Sequence, residues 1–210
     1  DAAFGFIPPT LFERAKKIKW IACPMAGPPA GYYHQALIDS DVVVTNVRGI
    51  FSDHISAHIM SYVLAFARGI HIYLPQQLKQ EWSPSYKTLD LSQSTVLMVG
   101  LGGIGSETAR LCSEFGMSVV GVDARLNTKP DFVKELHGPE ELYRLLPYGD
   151  FVIVTVPETP ETQGLFAMRQ FESMRKSAFF INVGRGATVI IDDLADALHR
   201  GEIAGAGLDV

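Results

Sequence analysis

The stretch that most constrains this chain runs from Thr95 to Asp123, TVLMVGLGGIGSETARLCSEFGMSVVGVD. A strand-length apolar run, Thr95 to Val99, stops at Gly100-Leu101-Gly102-Gly103-Ile104-Gly105, which is G-x-G-x-x-G in the setting that gives the spacing meaning, after a strand and before a helix. Gly100 permits the tight turn, Gly102 lets the backbone approach a pyrophosphate, and Gly105 lets the helix pack against the sheet. The helix start presents free N–H groups and the positive end of a dipole, so phosphates are favoured there without Lys or Arg. Apolar Ile104, Ala109, Leu111, Cys112 and Phe115 give that helix a buried face, Gly116 ends it, and Ser118 to Val122 is a second buried strand. It closes on Asp123, roughly 20 residues past the glycines, where a carboxylate can accept both ribose hydroxyls of an adenosine and repel a 2′-phosphate. NAD is therefore expected over NADP, with Arg125 the one residue nearby that can accommodate the extra phosphate.

The rest of the chain alternates strands and helices, the pattern of a parallel α/β sheet. Before the glycine motif, strands are expected at Ala2 to Ile7, Lys19 to Cys23 and Val42 to Thr45, with a helix at Thr10 to Lys16 that Thr10 and Glu13 would cap as a capping box. The loop Met25-Ala26-Gly27-Pro28-Pro29-Ala30-Gly31 follows a strand's carboxyl end, where ligands bind in such sheets, so the backbone N–H groups of Ala26 and Gly27 are candidates to hold a carboxylate. Ser52 to Ala67 reads as a helix apolar around most of its circumference, suited to a domain or subunit interface. On it His54 and His58 have metal-ligand spacing but no H-E-x-x-H pattern and no third ligand close by, so packing or hydrogen bonding is the favoured role and no metal is expected. Pro75 to Leu91 reads as a polar crossing back to the strand before the glycine motif.

Beyond Asp123, a short strand is expected at Phe132 to Leu136, a helix opening at Pro139 and a buried strand at Phe151 to Val156, which ends in the rigid turn Pro157 to Thr162. A helix at Ala167 to Met174, a strand at Ala178 to Asn182, a helix at Asp192 to Arg200 and a strand at Ala204 to Asp209 complete a doubly wound sheet. Arg185, between Gly184 and Gly186 just past a strand end, is the side chain to single out. Its planar, permanently charged fork matches a carboxylate bidentately.

At these residues the chain resembles the D-isomer-specific 2-hydroxyacid dehydrogenases over nearly its whole length. Three blocks carry the likeness: VGLGGIG at Val99 to Gly105, VPETPETQGLF at Val156 to Phe166, and FFINVGRGATV through GEIAGAGLDV at Phe179 to Val210. The resemblance implies a Rossmann sheet over 49–210 and part of a smaller, flavodoxin-like substrate domain over 1–48. It implies hydride transfer between NAD(H) and a 2-oxo acid/D-2-hydroxy acid pair. Arg185 would bind the substrate carboxylate and help polarise the carbonyl, and Ala26 and Gly27 would supply backbone donors to the substrate. Gly100, Gly102, Gly103, Ile104, Gly105 and Asp123 would hold the cofactor, with Pro157, Thr162, Val183 and Gly184 lining it and Asp209 on the nicotinamide side. The family's catalytic Glu and the His it supports lie downstream of G-L-D-V. With no initial Met and no closing helix, the sequence reads as a fragment expected to bind cofactor without turnover. Departures are Ala57-His58 where the family commonly has Ala-Glu, Ile190-Ile191 in place of an acidic pair, and Pro28-Pro29 in the substrate loop. Two other functions suit the same fold: an NAD(H)-sensing protein resembling the family's corepressors, and a formate- or phosphite-type dehydrogenase.

Composition narrows the partners. A net charge of −5 with scattered Lys and Arg points to neither nucleic acid nor an acidic membrane surface. Apolar runs are interrupted before a bilayer is spanned, and no signal peptide is expected. Cys23 and Cys112 belong to no C-x-x-C motif, so buried free thiols in a cytoplasmic enzyme are expected. A homodimer through the cofactor domain is expected from the apolar Ser52 to Ala67 helix and from the resemblance.

Overall fold

The computed structural model describes residues 1–28, 31–125 and 128–210, so the Pro29 and Ala30 part of the substrate-loop expectation lies outside the described residues. The chain divides into two compact units, Asp1–Phe51 and Ser52–Val210, the break falling where the long helix begins.

In the small unit, β1 (Ala2–Phe4), β2 (Trp20–Cys23) and β3 (Val43–Asn46) pair in parallel in that order, with α1 (Pro9–Phe12) and α2 (Gln35–Ile38) between them. Ile7, Ile21, Cys23, Tyr32 and Leu37 form its core, and the Tyr32 hydroxyl donates to Gly5 O at 2.9 Å. β1 stops short of Ile7 because Gly5 turns the chain at φ +97°, outside the strand region. The capping box expected at Thr10 does not form. Pro9, whose fixed φ suits a first helical position, starts α1 one residue earlier, and Pro8 caps it without a side-chain bond.

The large unit holds six parallel strands, β4 (Thr95–Val99), β5 (Ser118–Val122), β6 (Glu135–His137), β7 (Phe151–Val154), β8 (Phe179–Asn182) and β9 (Gly205–Leu208), in the order β6-β5-β4-β7-β8-β9. The sheet is wound outward in both directions from the β4/β7 pair, which leaves a crevice at the carboxyl ends of those two strands. Strand residues face two cores by turns. Leu97, Val99, Val152 and Phe180 share one with residues of α6 (Leu142–Leu145), α7 (Met168–Ser173) and α8 (Ile191–Arg200). Val96, Met98, Ile153 and Ile181 share the other with residues of α3 (Ser52–Arg68) and α5 (Gly103–Glu114). Burial on both faces explains why these strands read as unbroken apolar runs.

Two expectations change here. The apolar side of α3 is covered by its own unit: Ile59, Met60, Val63, Phe66 and Ala67 are buried in the core that α5 and the sheet complete. The segment after it is not a polar crossing from Pro75 onward. Gly69, in the left-handed region at φ +72°, ends α3, and a further helix α4 (Ile70–Leu78) leaves at 73° with Pro75 inside it. Ile70, Leu74 and Leu78, four apart on α4, are 51%, 53% and 80% exposed, and Trp82 beyond it is 93% exposed. No single helix among the described residues is long and apolar enough to cross a membrane.

Candidate cofactor site

The glycine turn is built by close approach. Gly100 sits at φ +94°, donates to Val122 O at 2.8 Å, and has Val156 and Thr155 packed where a side chain would begin, at 3.0 and 3.1 Å. A Cβ on Gly105 would stand 1.9 Å from Gly100 O and 2.7 Å from Thr155 Oγ1, so helix and turn touch through the missing side chain. Gly102 differs: nothing lies within 4 Å of its Cβ position. It is also the N-cap of α5, and no side chain caps that helix. The first-turn N–H groups thus face open space at the positive end of a 12-residue helix, an arrangement that fits the phosphates of a dinucleotide.

Asp123, directly after β5, is held in one orientation. Leu101 N donates to its Oδ2 at 2.7 Å and Arg125 N to its Oδ1 at 2.8 Å. These bonds fix the carboxylate at the carboxyl end of β5, the position at which a dinucleotide's adenosine ribose is read.

A second glycine turn lies on the other side of β7. A Cβ on Gly184 would stand 2.6 Å from Val156 O, so the segment Thr155-Val156 is clasped by Gly100 and Gly105 on one side and by Gly184 on the other. Thr155 Oγ1 donates to Gly100 O at 2.8 Å. Asn182, buried at the end of β8, shapes the turn that follows: its Nδ2 donates to Arg185 O at 3.0 Å and to Thr188 Oγ1 at 3.2 Å, and its Oδ1 accepts from Gly184 N at 3.0 Å. Arg185 is exposed and forms no ion pair among the described residues; its Nη1 donates to Gly184 O at 2.7 Å. The Gly186 Cβ position is 3.9 Å from the Val210 carbonyl carbon, and Asp209 N donates to Asn182 O at 3.1 Å, so this turn and the end of β9 are neighbours. The Pro157 to Thr162 turn is tied by Thr162 Oγ1, which donates to Pro157 O at 2.7 Å, and it joins the second turn through Gly164 N to Ala187 O at 2.8 Å.

The carboxyl edge of one sheet therefore gathers Gly100, Gly102, Gly103, Ile104, Gly105, Asp123, Pro157, Thr162, Val183, Gly184, Arg185 and Asp209. Ala26 and Gly27 belong to the small unit, where Asn46 Nδ2 donates to Ala26 O at 3.1 Å and holds the loop to the end of β3. His54 pairs with neighbouring Asp53 at 2.8 Å, while His58 Nε2 lies 3.7 Å from Asp209 Oδ2. Thr155, Asn182 and His58 were not singled out from the sequence as parts of this edge. For the first two a signal existed, a lone polar residue at the carboxyl end of an otherwise buried strand.

Residues 60–210 match the family model described as the NAD-binding domain of D-isomer specific 2-hydroxyacid dehydrogenases. The glyoxylate reductase/hydroxypyruvate reductase of Mus musculus is 35% identical over 173 residues, 77% of this chain and 51% of the relative. A D-isomer specific 2-hydroxyacid dehydrogenase from Xanthobacter autotrophicus Py2, crystallised with NADPH and MES, is 30% identical with a TM-score of 0.88 and covers 100% of this chain and 66% of its own. The NAD-complexed enzyme of that class from Lactobacillus delbrueckii ssp. bulgaricus is 25% identical with a TM-score of 0.83, over 99% of this chain and 65% of its own. The chain spans about half the length of the curated relatives it matches.

Proposed function

The chain belongs to the D-isomer specific 2-hydroxyacid dehydrogenase family, and we propose that its protein is an NAD(H)-dependent oxidoreductase interconverting a 2-oxo acid and a D-2-hydroxy acid. The observation that carries this is the shared edge: an open, uncapped glycine turn suited to phosphates and a cation with no ion pair among the described residues, Arg185, at the carboxyl ends of one parallel sheet. The cofactor supplies the hydride. This chain's residues bind and orient: the N–H groups from Gly102 to Gly105 take the pyrophosphate, Asp123 the adenosine ribose, and Pro157, Thr162, Val183, Gly184 and Asp209 border the nicotinamide half. Arg185 holds the substrate carboxylate and faces the negative charge that grows on the carbonyl oxygen as the hydride arrives, so its interaction strengthens toward the transition state. In the small unit, read as part of the substrate domain, the backbone N–H groups of Ala26 and Gly27 are suited to donate to a carboxylate.

NAD is preferred over NADP because a carboxylate at the end of β5, Asp123, would repel a 2′-phosphate. Buried Cys23 and Cys112 suit a cytoplasmic setting, and a homodimer forms through α4. Fluorescence titration of NADH and NADPH, followed by cofactor oxidation with glyoxylate and hydroxypyruvate, tests the reading. Tighter NADH binding and Arg185-dependent oxidation are expected. Tighter NADPH binding overturns the cofactor preference, and oxidation indifferent to Arg185→Ala overturns the assignment of the site.

A further inference from the structure

We infer that His58 is a positioning residue for Asp209 and that the charge state of this pair sets the preference of the edge between oxidised and reduced dinucleotide. The inference rests on the cofactor reading above.

The register of α3 against the site is fixed by buried polar contacts. Ser56 Oγ donates to Ile104 O at 3.1 Å and accepts from Thr108 Oγ1 at 3.0 Å, both partners on the helix that opens at the glycine turn. Farther along α3, Tyr62 packs on Gly207, where a Cβ would meet its ring at 2.8 Å, and its hydroxyl donates to Leu208 O at 3.2 Å. His58 stands one turn before Tyr62, edge-on to that ring at 4.9 Å, and places Nε2 3.7 Å from Asp209 Oδ2. With Asp209 N bound to Asn182 O, the residue after β9 is held from two sides. β9 belongs to the half of the sheet that takes the second nucleotide of a dinucleotide, which here is the nicotinamide half.

The nicotinamide ring is cationic in NAD⁺ and neutral in NADH. A carboxylate at that end favours the oxidised form, and an imidazolium beside it removes the advantage. Histidine is the side chain that ordinarily changes charge between pH 5 and 8. Other charged or titratable groups lie on the elements packed here. Asp53 pairs with His54 on α3, Arg110 with Glu107 and Glu114 on α5, and His71 on α4 lies among Phe66, Tyr86 and Phe179. Arg185 follows β8 with no ion pair among the described residues, and it is present at every pH as a constant charge. Asp209 is the one carboxylate paired with His58 among the described residues.

The side chains of His58 and Asp209 are 46% and 58% exposed, so solvent screens the pair and the effect is small. The test is the affinity of the complete protein for NAD⁺ and for NADH by calorimetry from about pH 8.5 to about pH 5.5. The preference for NADH should grow roughly three- to tenfold toward acid. In His58→Gln, which cannot take up the proton, that change should vanish, with thermal unfolding confirming that the variant is folded. His58→Lys, a permanent cation, should hold the acid-side preference at every pH. Equal pH profiles in the wild type and His58→Gln overturn this inference alone. Failure of either dinucleotide to bind the wild type overturns the cofactor reading, and this inference with it.

Discussion

Arg185 and Asp123 hold opposite charges on one sheet edge, and each is oriented by backbone groups. Arg185 follows a turn that Asn182 shapes from beneath, so replacing the guanidinium leaves the turn intact. Arg185→Lys is expected to keep NADH affinity while losing turnover and substrate affinity together, because the charge survives and the bidentate fork does not. Arg185→Ala should lose more, and steady-state kinetics beside cofactor titration separates the two effects. Unchanged kinetics in Arg185→Ala would mean the substrate anion is held elsewhere. Cys112 gives a prediction of another kind. Burial in the core between α3 and α5 pushes its thiol up to about 12, and its Sγ contacts Met60 Sδ at 3.7 Å. The neutral form is the one the fold favours, so the stabilisation this burial provides is full below the ordinary thiol range near ~8.5 and is lost as pH rises through about 12. At neutral to mildly alkaline pH a thiol reagent should therefore leave Cys112 unlabelled until denaturant is added. Rapid labelling of the native protein would contradict its burial.

At the scale of the element, the glycine turn separates two roles that one motif conceals. Gly105→Ala would drive a methyl to 1.9 Å from Gly100 O, and neither backbone can yield without parting β4 from α5. A large drop in thermal stability is expected, of the several-kcal/mol order that overpacking reaches. Gly102→Ala meets nothing within 4 Å. It should leave the melting temperature nearly unchanged and weaken NADH binding, since the methyl occupies the space a phosphate needs. Equal effects of the two variants on stability would deny that Gly102 is reserved for a ligand. The close packing at Gly105 was readable in the sequence because the constraint is local: strand, glycines and helix adjoin in the chain. The clasp around Val156 was not, because it joins Gly100 to Gly184 across a sheet order that only the fold reveals. The helix α4 was hidden for a different reason. Pro75 and the polar residues after it look like a loop, while the left-handed turn at Gly69 that starts the helix leaves no mark on hydrophobic periodicity. Thr10 misled in the opposite sense, offering a capping pattern that Pro9 pre-empts.

For the molecule as a whole, the exposed apolar surface lies beside the helix that the sequence singled out. The long helix α3 spends its apolar face inside its own unit, on α5 and the sheet, and so has little left to offer another subunit. The neighbouring α4 does the reverse. Ile70, Leu74 and Leu78 project a stripe four residues apart, and Trp82, beyond the end of the helix, has 93% of its surface in solvent. A tryptophan alone can bury 150–250 Å², and an exposed row of large apolar side chains on a soluble domain marks an interaction site more often than it marks chance. The preferred occupant is a second copy of the same chain, since a two-fold pairing lets each stripe cover the other. Light scattering and sedimentation of the complete protein should give a dimer. Leu78→Asp, which puts a charge on the most exposed residue of the stripe without touching either core, should give a monomer that still binds NADH, and Trp82→Ala should weaken the dimer by roughly the 2 kcal/mol or more of an interface anchor. A concentration-independent monomer in the wild type, or a dimer indifferent to Leu78→Asp, would show that α4 faces something other than its own copy.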